Sequence, residues 1–235
     1  MPLPSLSAPE FRLVLPSNKQ DITYRPFTVK EQKSLLIAKD SDDKVEIINA
    51  TQKTVAECCN IPIEKVKAMP YFDIEWIFLH IRSKSVGETF EFVMSHGEAH
   101  ECKATTDVKF NLEDVKFVLP DDATTSVMVN DDIGIEFRYP TFEELTKFSD
   151  ITSPLVMYDF IVNNIKSVFD KEKVYDDFTK QEAETFVDSL KTEQYSKVLK
   201  WFNNIPILKH EIKWTCKSCN QESTMTLIGI NDFFL

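Results

Sequence analysis

The chain has 235 residues, of which 43% are apolar and 11% aromatic, with 18 Phe, four Gly and a formal net charge of −11. This is too rich in large apolar groups for a disordered chain, and it is long enough for one large core or two small ones. The acidic balance, with no run of Lys and Arg to displace counterions, opposes general nucleic-acid binding, and no apolar run approaches the roughly 20 residues that span a bilayer. The opening "MPLPSLSAPEF" lacks the basic and apolar regions of a signal peptide. Five cysteines, including the adjacent Cys58 and Cys59, fit a reducing compartment such as the cytoplasm, with thiols free or on metal.

In chain order, "FRLVLPS" (11–17) reads as an apolar strand ending at Leu-Pro, with a polar loop closing a hairpin to the next strand. "DITYRPFTVKEQKSLL" (21–36) reads as that strand running into a helix opened by the capping box Thr28-x-x-Glu31. A helix is expected near 42–58, a largely buried one over 69–87, then two strands around a Gly turn in "ETFEFVMSHGEAHECKATTDVKF". Then the pattern returns. "VKFVLPD" (115–121) matches 11–17, and "GIEFRYPTFEELTKF" (134–148) matches the second stretch. Ile22, Tyr24, Arg25, Thr28, Val29 and Glu31 fall against Ile135, Phe137, Arg138, Thr141, Phe142 and Glu144 at one constant offset. Helices are expected near 154–169, after a third box Thr179-x-x-Glu182, and over 191–206. Last come two strands around a cysteine knuckle in "HEIKWTCKSCNQESTMTLIGI". The expected fold is therefore α+β, with two tandem pseudo-repeats of hairpin, helices, hairpin over 1–110 and 111–235.

The knuckle is Cys216-x-x-Cys219, a spacing that holds two thiolates against one zinc ion but supplies half of a four-ligand site. The repeat points to Val93-Met94-Ser95-His96-Gly97 for the rest, with His96 against Cys219 and a poor donor where a thiolate should stand. Cys216, Cys219 and His96 with either His100 or Cys102 have the right ligand count. The site holds one structural zinc, or no cofactor at all and a degenerate ribbon kept by packing. Cys58 and Cys59 read as thiols of a helix core.

Dinucleotide-binding, nucleotide-binding, zinc-protease and nucleophile-elbow motifs are absent. "DDKVE", "PDDATT" and "KVYDDF" read as solvated turns and helix starts. A redox dithiol would normally open a helix after a strand, whereas Cys216 and Cys219 lie between two strand-like stretches.

"LVLPSNKQDITYRPFTVKEQKSLLIA", "FDIEWIFLHIRSKSVGE", "WTCKSC" and the terminal "LIGINDFFL" together resemble the baseplate hub and hub assembly proteins of T4-like bacteriophages. The resemblance covers nearly the whole chain, with "RPFTVKEQKSLL" and "IRSKSVGE" the most specific pieces. It implies a non-enzymatic phage tail protein in the assembly or structure of the central hub of a contractile tail. Its partners would be other hub and tail proteins, with neither nucleic acid nor membrane, in the host cytoplasm during assembly and in the virion baseplate. The alternative is a stand-alone zinc-ribbon or thiol-redox protein. The terminal Phe233, Phe234 and Leu235 are either an apolar anchor for a partner or a cover for the chain's own second hairpin.

Overall fold

The structure, a computed structural model, describes residues 7–96, 101–115, 117–118, 124–147 and 153–229. The strands β1 (Phe11–Val14) and β2 (Asp21–Tyr24) lead into the helices α1 (Val29–Ser41), α2 (Lys44–Cys59), α3 (Ile63–Lys67) and α4 (Tyr71–Val86). Next come β3 (Thr89–Ser95), β4 (Thr105–Asn111), a 3-10 turn at Leu112–Asp114 and β5 (Phe117–Val118). The middle of the chain holds β6 (Ser126–Met128), β7 (Gly134–Phe137), α5 (Phe142–Lys147), α6 (Pro154–Asn163), β8 (Ile165–Phe169), β9 (Val174–Tyr175), α7 (Lys180–Asp188) and α8 (Thr192–Asn203). A long hairpin of β10 (Ile207–Thr215) and β11 (Glu222–Ile228) follows. The fold is mixed α and β, with small antiparallel sheets. No helix among the described residues is long and apolar enough to cross a membrane.

Local chemistry sets the helix boundaries. Thr28 N–H donates to Glu31 at 2.7 Å, the reciprocal half of a capping box, and α1 stops at Asp42 in the left-handed conformation, φ 54°. The Asp43 carboxylate accepts from Val45 N–H to start α2, which stops at left-handed Asn60. Prolines 62 and 70 precede α3 and α4, where a fixed φ and a missing N–H do no harm. Helix α4 buries Phe72, Ile74, Ile77, Phe78, Leu79 and Ile81, so it is covered on nearly every side, as the apolar stretch 69–87 required.

Of the described residues, those up to Val118 and those from Ile207 onward form one compact unit, and those between form a second. In the first unit, Leu79 of α4 meets Leu112, Val115, Leu208, Ile212 and Leu227, with Phe90, Phe92 and Phe110 of the β3–β4 hairpin packed on the cluster. Each such buried side chain stabilises by about 1.5–3 kcal/mol relative to exposure. Arg82 lies over the Phe90 ring at 4.1 Å, and burial pushes its guanidinium down to about 10. In the second unit, an antiparallel sheet of order β6-β7-β8-β9 packs against helices through Ile135, Phe137, Phe160, Ile161, Val198 and Phe202.

The grouping differs from a tandem division into 1–110 and 111–235: the last hairpin belongs with the first unit. Within the matched stretches the agreement is close. Residues 22–31 and 135–144 both run from a strand into a capped helix. Arg25 pairs with Glu31 at 2.9 Å and Arg138 with Glu144, while Thr28 and Thr141 each donate a backbone N–H to that glutamate. Two expectations fail. Residues 117–118 pair with β10 instead of closing a hairpin with β7, whose partner is β6. The helix expected over 154–169 ends at Asn163, and 165–169 is strand β8. Ile165 and Ser167 are buried while Lys166 is exposed, a period-2 pattern that pairing with β7 uses.

Candidate metal centre

The metal-ligating side chains of the first unit converge where its two long hairpins end. Strand β10 delivers Cys216 just past Thr215. A tight turn then brings Cys219 back, with Asn220 N–H donating to the Cys216 carbonyl at 3.0 Å and Cys216 N–H to the Gln221 carbonyl at 3.0 Å. Asn220 takes φ 57°, which Asn tolerates better than most side chains. The β3–β4 hairpin supplies the other pair. His96 follows β3 directly, and Cys102 lies shortly before β4. Lys217 N–H donates to the Thr106 hydroxyl at 3.2 Å, tying the knuckle to β4, and the His96 ring packs on Trp214 with centroids 5.1 Å apart.

The ligand atoms of His96, Cys102, Cys216 and Cys219 all lie within 4.8 Å of one another. Cys102 Sγ is 3.8 Å from Cys216 Sγ, and Cys219 Sγ is 3.3 Å from His96 Nε2. A tetrahedral zinc site with Zn–S near 2.3 Å and Zn–N near 2.0–2.1 Å has ligand–ligand edges of about 3.4–3.8 Å. A disulfide would need sulfurs near 2.05 Å, and all five cysteines are free thiols. Three thiols and an imidazole are a donor set suited to zinc, so these residues could hold a metal ion. Backbone N–H groups of Cys219 and Ser218 aimed at the Cys216 sulfur push that buried thiol down to about 6. At Cys219 the Gln221 N–H acts downward, but desolvation and the neighbouring Cys216 and Cys102 sulfurs outweigh it and raise the thiol.

A family model described as T4 bacteriophage base plate protein matches residues 8–235. The chain belongs to that family. No curated protein and no solved structure matches it. The sequence-expected ligands of this baseplate protein, Cys216, Cys219 and His96, are thus brought together in the structure. The fourth member of the group is Cys102. His100, the other candidate, lies outside the described residues, as do Phe233, Phe234 and Leu235. Cys102 lies just before β4, on the strand that pairs with the one carrying Val93 and Met94, so the opposite arm of the same hairpin could supply the thiolate they cannot. Its separation from His96 exceeds the usual two-to-four-residue cysteine spacing, and its nearness to the matching turn, with the ligand count it completes, is the signal that pointed to it.

Cys58 and Cys59 of α2 are both buried, and burial pushes each thiol up to about 12, as inert core thiols. In the second unit of the baseplate protein, a cavity of about 320 Å³ between β8 and α7 is lined by Ile165, Val168, Phe169, Phe178, Ala183 and Phe186. Its two carboxylates are engaged, Asp170 with the N–H groups of Glu172 and Lys173, and Glu182 in its capping box with Thr179.

Proposed function

We propose that this chain acts without catalysis in the assembly or structure of the central baseplate hub of a contractile tail, bound to other hub and tail proteins. The observation that carries the reading is the family match over residues 8–235, which makes it a phage baseplate protein. The hub assignment is supported by the resemblance of "RPFTVKEQKSLL" and "IRSKSVGE" to hub proteins. The chain would work in the host cytoplasm while tails are built and stay on the virion baseplate where it is retained. A phage lacking this chain should accumulate tails or tubes without complete baseplates, rescued by the protein in trans, and the purified chain should capture hub proteins from infected cells. Normal baseplates in its absence would remove the reading.

In the same reading the metal centre is one structural zinc that clamps the two hairpins. Four protein donors leave no open position for substrate, which separates a structural site from a catalytic one. Mass spectrometry of protein purified without chelator should find about one zinc per chain. A content well below one leaves the four residues as a packed cluster. The lowered Cys216 thiol supports a second reading, a thiol-redox protein. That reading requires a dithiol that cycles between thiol and disulfide with the metal-free chain still folded. Phe233, Phe234 and Leu235 are the proposed partner anchor. Truncation after Asn231 should abolish hub capture with the melting temperature little changed, whereas a large fall would make them core.

A further inference from the structure

Helix α1 carries apolar residues on two sides. Leu35 and Ala38 are buried, yet Val29, Leu36 and Ile37 are 79%, 45% and 59% exposed. With 3.6 residues per turn, Val29, Lys33, Leu36, Ile37 and Asp40 fall within one arc of about 100°. Lys33 and Asp40 are exposed, and neither has an ion-pair partner among the described residues. They stand seven residues apart, about 10 Å along the axis, too far to pair with each other.

The positions of these residues are self-complementary. Lys33 and Asp40 are centred on the point midway between Leu36 and Ile37. Two α1 helices laid antiparallel with a two-fold axis through that point place Lys33 of each copy opposite Asp40 of the other. Leu36 of each then meets Ile37 of the other. A parallel pair would oppose Lys33 with Lys33 and Asp40 with Asp40, and would also align the two helix dipoles unfavourably. We propose that this face of α1 is the seam of a two-fold symmetric homodimer, with a second copy of the chain as its occupant. The symmetry is that of an isologous interface, in which one patch recognises itself. A 13-residue helix cannot by itself bury the roughly 1,200–2,000 Å² of a stable interface, so the association is weak and belongs to the crowded setting of an assembling tail.

Sedimentation of the full chain at up to about 300 µM, the range in which small interfaces associate, should show a monomer–dimer equilibrium. Lys33→Asp and Asp40→Lys should each weaken it at least about tenfold, since two attractive pairs become repulsive. An equimolar mixture of the two variants should dimerise again, because each heterodimer restores both opposite-charge pairs. Ile37→Glu should remove association with no rescue by either variant, and circular dichroism matching the parent shows that each variant is folded. A parent chain monomeric at every concentration overturns the proposal and leaves the face to a different tail protein. A dimer indifferent to the charge reversals, or a mixture that stays monomeric, overturns it equally.

Discussion

Cys102 completes the candidate donor set with His96, Cys216 and Cys219. The Cys216-x-x-Cys219 knuckle and the turn residue His96 were legible because spacing and the internal match pointed at them. Cys102 was legible only as one of two alternatives, because its donor reaches the site by strand pairing across a turn, which no linear motif encodes. In a zinc-loaded chain, Cys102→Ser should therefore drop metal content as far as Cys216→Ser does, while Cys58→Ser leaves it at about one per chain. After chelation, a thiol reagent should label the exposed Cys219 and the half-buried Cys102 quickly, the buried Cys216 only when its hairpin opens, and Cys58 and Cys59 only when α2 unfolds. Glu31 carries a pH signature. Burial alone would raise its carboxyl, but the Arg25 guanidinium and the Thr28 hydroxyl and N–H outweigh that and hold it at about 2. A folded-state value below the unfolded 4.5 contributes stability that is complete above about pH 5 and lost as pH falls toward 2. Glu31→Gln should cost about 1–3 kcal/mol at neutral pH, less than the full shift because Arg25 is partly exposed. The difference in melting temperature from the parent should close between pH 5 and 2, and a gap that stays constant would assign the loss to packing.

At the scale of elements, helices with a capping box or with an all-round apolar pattern were readable, as α1 and α7 show for the first and α4 for the second. What misled was the stretch from 154 to 169, apolar enough for a helix throughout. Its second part became β8 because β7 needed a partner and Ile165 and Ser167 could both face inward. That pairing explains one glycine. Gly134 lies opposite Phe169, whose ring covers it so closely that a Cβ would come within 2.2 Å of Cζ. Gly134→Ala should cost about 1–3 kcal/mol by overpacking, read by denaturant unfolding. In a Phe169→Val background the same change should cost less than half as much, since the obstructing ring is gone. Equal costs in both backgrounds would locate the strain in the backbone instead. The two Arg–Thr–Glu constellations, at 25–31 and 138–144, show how a short internal match can be structurally faithful while the wider partner choice of each strand is not. Strand partners are chosen by surfaces distant in sequence, and β5 found β10.

For the whole molecule, the two units keep separate cores, and among the described residues the four candidate metal ligands lie in only one of them. Chelation should raise amide exchange in β3, β4, β10 and β11 and leave β6 to β9 and α6 to α8 near their metal-loaded rates. A uniform rise across the chain would mean that the units unfold together. The division of the chain was not legible because composition does not shift at Val118 or at Ile207. It is set by β10 returning to pair with residues already folded into the first unit. That return has a consequence for synthesis. About 110 residues separate β4 from Cys216, and at about 5–20 residues per second a ribosome needs about 6–20 s to make them. The unit begun first is therefore completed last. During that interval Phe90, Phe92 and Phe110 wait without β10 and β11 to cover them, and Cys102 and His96 wait without their partner thiols. The final hairpin, and not the middle unit, is therefore what covers those rings on the nascent chain and first brings the four candidate ligands together.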